Sequence, residues 1–205
     1  EVPQVKFVDR TFNCNHKHAI AIWKYIKEHD KGITNFHFEV AADLLNEEEL
    51  KLIESMRPGL IQLEIGVQST NEQTIREIRR TMRFEEVARI VQRINQGENV
   101  HQLPYEGMES FQKSFDDVYR LHPEQLQLGF LKVLKGSYME SQKERYGLVY
   151  KSRPPYEVLY TNWLSYEEMM RLKSVEEMVE VYYNSGQFSY CLRKLEEEYA
   201  SPFVL

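Results

Sequence analysis

Cysteine is scarce in this chain: its 205 residues hold two, Cys14 and Cys191. Two thiols build no disulfide framework and no repeated metal-ligand spacing. The plain reading is a pair of ordinary reduced thiols in a soluble, cytoplasmic protein. Long apolar runs are missing as well. No uninterrupted stretch approaches the length of a bilayer span, and the first residues lack a signal-peptide pattern, so no membrane partner is expected. Positive charge is not in excess. The 26 Lys and Arg stand against 32 Asp and Glu, a formal net charge of -6, and no global field favours nucleic acid or anionic lipid. A glycine-rich nucleotide fingerprint and a phosphate loop are both absent, which argues against ordinary Rossmann and P-loop readings.

What is present is material for a core. Hydrophobic residues make up 42% and aromatics 12%, including 13 Tyr and 10 Phe. Such a composition argues against disorder and suits one domain with a small appendage.

The pattern is strand then helix, repeated. Val5-Lys6-Phe7-Val8-Asp9 is β-rich, and a helix from about Lys17 to His29 carries Ile20, Ile22, Trp23 and Ile26 on its apolar face. Asn35 to Val40 alternates as a strand. Asn46 stands three residues before Glu49, the spacing of a helix N-cap, with Leu50, Leu52, Ile53 and Met56 inward. A third strand runs through Leu60 to Gln68, its helix predicted to open near Ser69. A helix with Val87, Ile90, Val91 and Ile94 inward then ends at Gly97. Asn99-Val100-His101-Gln102 passes straight into Leu103-Pro104-Tyr105-Glu106-Gly107, where a strand would be expected. A helix from Met108 to Leu121 and a strand from Gln125 to Leu134 follow. Alternation of this kind predicts parallel strands with right-handed crossovers. Beyond Arg153-Pro154-Pro155 only helices are legible. The expected organisation is therefore residues 1–150 as the α/β part and residues 151–205 as an all-helical appendage.

Strand carboxyl ends display ligand-binding groups in βα folds. The candidates there are Asp9, Arg10, Asn13, Glu39, Gln68, Ser69 and the Lys135-Gly136-Ser137 turn. An acid, an amide and a guanidinium could hold an amino acid's ammonium and carboxylate and a ribose. The competing reading makes them helix caps or solvent-facing groups. His16 and His18 are too close for a metal pair on one helix face and suit a loop or cap role. Tyr146, Tyr150, Tyr156 and Tyr160 either line a substrate or, by default, pack between the α/β part and the appendage, while Trp23 and Trp163 suit core or interface positions.

Five words recur in order between residue 5 and about residue 140. They are Val5-Lys6-Phe7-Val8-Asp9-Arg10-Thr11-Phe12-Asn13, Phe38-Glu39-Val40-Ala41-Ala42-Asp43-Leu44, Gly66-Val67-Gln68-Ser69, Leu103-Pro104 and Lys132-Val133-Leu134-Lys135-Gly136-Ser137. With them the chain resembles the core of radical S-adenosylmethionine (SAM) enzymes. The likeness is strongest to the branch containing oxygen-independent coproporphyrinogen oxidases, tRNA methylthiotransferases and cobalamin-binding members. The resemblance implies an α/β fold, a partial (β/α) barrel of parallel strands with the helical appendage. It implies SAM and a 4Fe-4S cluster as cofactors, reductive cleavage of SAM to a deoxyadenosyl radical, and a cobalamin domain upstream. Glu39 would meet the SAM ammonium and Gln68 the ribose. Arg80, twelve residues beyond Gln68, would take the carboxylate or simply be a solvated helix residue, the reading favoured for Arg79 and Arg83.

Two departures limit this. The family's cluster hangs on three closely spaced cysteines, Cys-x-x-x-Cys-x-x-Cys, because thiolates are the ligands iron–sulfur clusters take. The chain has no such motif, so it reads as an inactive fragment whose parent carries the cluster loop upstream. Leu103-Pro104 also stands without the apolar strand that precedes it in the family. Either a strand is deleted or residues next to Gln102 are missing from the sequence, and the second is preferred because losing a central strand would break a parallel sheet. Two other classes compete: a non-catalytic α/β module acting through a partner, and a cluster-free barrel enzyme, for which no nucleophile–base pair is legible. The substrate is not readable.

Overall fold

The structure, a computed structural model, describes residues 2–80, 82–94, 97–101 and 103–205, with the backbone alone described at 97–101. In chain order the first elements are β1 (Gln4–Lys6), α1 (His16–Glu28), β2 (Asn35–Val40), α2 (Glu47–Glu54), β3 (Ile61–Gln68), α3 (Glu72–Glu77), α4 (Phe84–Ile94) and β4 (Gly97–His101). After these come α5 (Met108–Tyr119), β5 (Leu126–Gly129), α6 (Tyr138–Ser141), β6 (Val149–Tyr150), β7 (Val158–Tyr160), α7 (Tyr166–Met178) and α8 (Ser189–Glu198). One sheet has the order β1-β2-β3-β4-β5, and β6 pairs with β7 antiparallel. The chain divides into two compact units. One is Glu1–Gly66, Met82–Glu98 and Leu121–Glu124; the other is Val67–Thr81, Asn99–Arg120 and Gln125–Leu205. Among the described residues no helix is long and apolar enough to cross a membrane.

In the first unit β1, β2 and β3 run parallel, with Lys6 opposite His37 and Glu39 opposite Glu64. Alternation sorts their faces. Phe38, Val40, Leu63 and Ile65 are buried, while His37, Glu39 and Glu64 fall on the other side. Phe38 sits at the centre of an aromatic core, 4.4 Å from the rings of Phe7 and Phe12 and 5.9 Å from Trp23. The predicted cap of α2 is a reciprocal box. Asn46 accepts from the Glu48 and Glu49 amides, and Glu49 accepts from the Asn46 amide. From α4, Val87, Ile90 and Val91 are buried, and Arg93 bonds to Glu47 and Glu54 of α2.

The second unit is built on α5, whose Phe111, Phe115, Val118 and Tyr119 are buried. A further cluster gathers Val133, Tyr146, Leu148 and Val158. A capping box between Ser165 and Glu168 opens α7. That helix runs on unbroken through Ser174 into a π-helical turn, Val179–Asn184.

Three sequence expectations are corrected here. A strand does stand before Leu103: β4 occupies Gly97–His101. Its residues lack strand propensity, but strand propensity is largely context, and a place in the sheet order overrides it. Gln102, where the break was expected, lies outside the described residues. The apolar run 125–134 is split between two pairings. Only Leu126–Gly129 is strand β5, whereas Val133 N–H bonds to Tyr156 O and Val158 N–H to Leu131 O, both at 2.9 Å. Burial of Val133 against Tyr146 and Val158 draws it there. For the same reason the appendage is not all-helical, since β7 precedes its helices.

Candidate functional site

In the first unit, Asn13 and Glu39 lie at the end of β2. Asn13 is fully buried in a short 3-10 turn (Phe12–Cys14). Its Nδ2 donates to Ala41 O at 2.8 Å and its Oδ1 accepts from Ala41 N–H at 3.0 Å. Both polar atoms bond to the backbone, so Asn13 fastens the end of β2. Asp9 and Glu39 are exposed. On the polar face behind Glu39, Glu64 pairs with Lys6 at 3.2 Å and with His37 at 3.0 Å.

In the second unit, β3 ends abruptly. Gln68 has φ +69°, and the Ser69 N–H donates to Val67 O at 2.8 Å across it. A bond from i to i+2 around a residue with positive φ is the rare, strained form of γ-turn. Gln68 is half-buried, and Ser69 is fully buried. The helix after it starts later than the sequence suggested. Its cap is Asn71, whose side chain accepts from the Gln73 and Thr74 amides, so Ser69 is free for a different task. The helix closes on a Schellman-type end, with Arg79 left-handed at φ +59° and Arg80 N–H bonded to Ile75 O at 3.1 Å. Arg80 is thus exposed beyond α3, not on it. Arg79 is not simply solvated: its guanidinium lies 4.3 Å from the Tyr138 ring centroid.

One buried acid was missed by sequence reasoning. Glu106 is fully buried, and burial holds its carboxyl above the usual range while the hydroxyls of Ser69, Ser114 and Thr74 pull it part-way back. It lies in the quoted run Leu103 to Gly107, but no periodicity or spacing marks an acid in a turn as buried.

The remaining candidates take ordinary places. His16 Nδ1 meets the buried Glu49 carboxylate at 3.1 Å, and the His18 amide is capped by Asn15. Trp23 is core. Tyr146 is buried, hydrogen-bonded to Glu77, and Trp163 packs on Tyr105 with ring centroids 4.4 Å apart. A cavity of about 660 Å³, largely apolar, lies in the second unit among Phe115, Tyr182, Phe188 and Leu192, with Arg171 as its charged group. The two cysteines are exposed, and among the described residues no three His, Cys, Asp or Glu are grouped to hold a metal. The residues present do not fit an iron–sulfur cluster.

Solved structures give the fold. Coproporphyrinogen III oxidase (HemN) from Escherichia coli, described as a radical SAM enzyme, superposes with a TM-score of 0.52 and 19% identity, covering 62% of this chain and 31% of that one. Elp3 from the archaeon Methanocaldococcus infernus, with its N-terminus deleted, gives 0.52 and 15%, covering 69% and 40%. The chain has a radical SAM-like fold. It spans well under half the length of both proteins. Residues 144–205 match a family model described as Protein of unknown function (DUF4080). No curated protein matches the chain.

Proposed function

We propose that this chain is the SAM-binding part of a radical SAM enzyme of the cobalamin-binding branch, a partial (β/α) barrel with its site at strand carboxyl ends. The observation that carries the reading is the γ-turn at Gln68. A non-glycine residue held at positive φ costs about 1–3 kcal/mol, and such strain collects where a side chain must be presented to a ligand. The donor chemistry fits SAM: the Gln68 amide for the ribose diol, the Glu39 carboxylate for the ammonium, the Arg80 guanidinium for the carboxylate. Glu39, Arg80 and Asp9 are exposed and Gln68 is half-buried, so each has surface to offer. Asn13 and Ser69, both buried, contribute by holding backbone. The cluster ligands belong to a part of the parent that this sequence does not contain, as does the cobalamin domain, and the chain alone is inactive.

Calorimetric titration with SAM tests the reading. Q68A and E39A should each weaken binding about tenfold, the equivalent of one lost hydrogen bond to a polar or charged group. Binding indifferent to both substitutions would overturn the assigned contacts. No binding by the unaltered chain would favour the alternative, a module that engages a partner, with the apolar cavity as the place to look.

A further inference from the structure

Gln68 occupies a backbone conformation that an L-residue resists, so the fold must hold it there. The bonds that do so converge on Glu106. Ser114 Oγ donates to Glu106 Oε1 at 3.0 Å. Ser114 Oγ itself accepts from the Thr70 N–H at 3.0 Å and stands 3.3 Å from Ser69 Oγ. Ser69 Oγ in turn accepts from the Asn71 N–H at 2.9 Å. Asn71 Nδ2 reaches Tyr105 O, next to Glu106, at 3.3 Å. Glu106, Ser69 and Ser114 have no exposed surface, and Glu106 Oε2 is buried without a well-formed hydrogen bond.

A hydroxyl carries one proton and two lone pairs. While Ser114 donates its hydroxyl hydrogen bond to Glu106, its lone pairs face the Thr70 amide, the Thr70 hydroxyl at 3.3 Å and the Ser69 hydroxyl. Remove the acceptor and the Ser114 hydrogen is free to turn toward Ser69, which loosens the hold on the Thr70 amide. We infer that Glu106 is a positioning residue: through Ser114 and Ser69 it clamps the backbone of residues 69–71 and so holds Gln68 in its strained turn. The clamp stands on its own geometry, and its value for SAM binding rests on the role proposed above for Gln68.

Amide hydrogen exchange followed by NMR on this chain separates the clamp from mere core packing. In E106A and S114A the Thr70 and Asn71 amides should exchange at least tenfold faster, while amides of α5 and α7 keep their rates. E106Q, which retains an acceptor oxygen, should restore protection. S114A, a one-atom deletion, carries the test if E106A folds poorly. Unchanged Thr70 and Asn71 rates, or a loss spread evenly over the chain, would overturn the clamp. SAM titration of the same variants keeps the two ideas distinct. A clamp seen by exchange in a chain that binds no SAM would sink the functional reading and leave the clamp standing.

Discussion

At the scale of the residue, Glu106 couples the fold to pH. Burial raises its pKa above the ordinary 4.5, and no charged neighbour contributes to the shift. The folded chain therefore holds this proton at pH values where the unfolded chain has released it. Stability from Glu106 is complete below the ordinary carboxyl range and falls as pH rises through the elevated value. E106Q, which does not titrate, should flatten that part of the stability curve; urea midpoints across a pH series check it, and parallel curves for the two proteins would refute it. Asn13 makes a second case. N13A removes both bonds to Ala41 and should cost about 1–3 kcal/mol in urea unfolding, since the Ala41 groups lose their partners. Asn13 and Ser69 were legible as polar residues at strand ends. Whether such a residue faces a ligand or folds back onto the chain is decided by partners far away, Ala41 for one and Ser114 for the other, and no local pattern records them.

At the scale of the element, local chemistry was the better guide. The boundaries of β2, the capping boxes opening α2 and α7, and the Ser137 cap of α6 all follow from residues a few positions apart. N46A should cost α2 about 1 kcal/mol by breaking its box, measured by thermal or urea unfolding, with a negligible effect arguing against the cap. The core of the first unit has higher stakes. Phe38 touches three aromatic rings and has no exposed surface. F38A should cost about 3–5 kcal/mol, enough to unfold a marginal chain. Where elements were misread, the pairing was non-local. β4 is made by its sheet neighbours, and the end of the run 125–134 leaves the sheet to pair with residues 156–158.

At the scale of the whole molecule, the cysteine count governs what this chain can do alone. Anaerobic reconstitution with iron and sulfide should give no stoichiometric cluster absorbance, and a cluster formed on Cys14 and Cys191 would contradict the proposal. The sequence by itself determined the strand–helix alternation, the absence of a three-cysteine ligand set and the ordered motifs, because each depends on composition or on residues within a turn or two of one another. Tertiary structure alone decided that β4 exists, that Asn13 and Ser69 are buried, and that Glu106 lies beneath the turn presenting Gln68. Burial and hydrogen-bond partnership join residues tens of positions apart, and a carboxylate's environment is set by the groups packed against it, not by its neighbours in the chain.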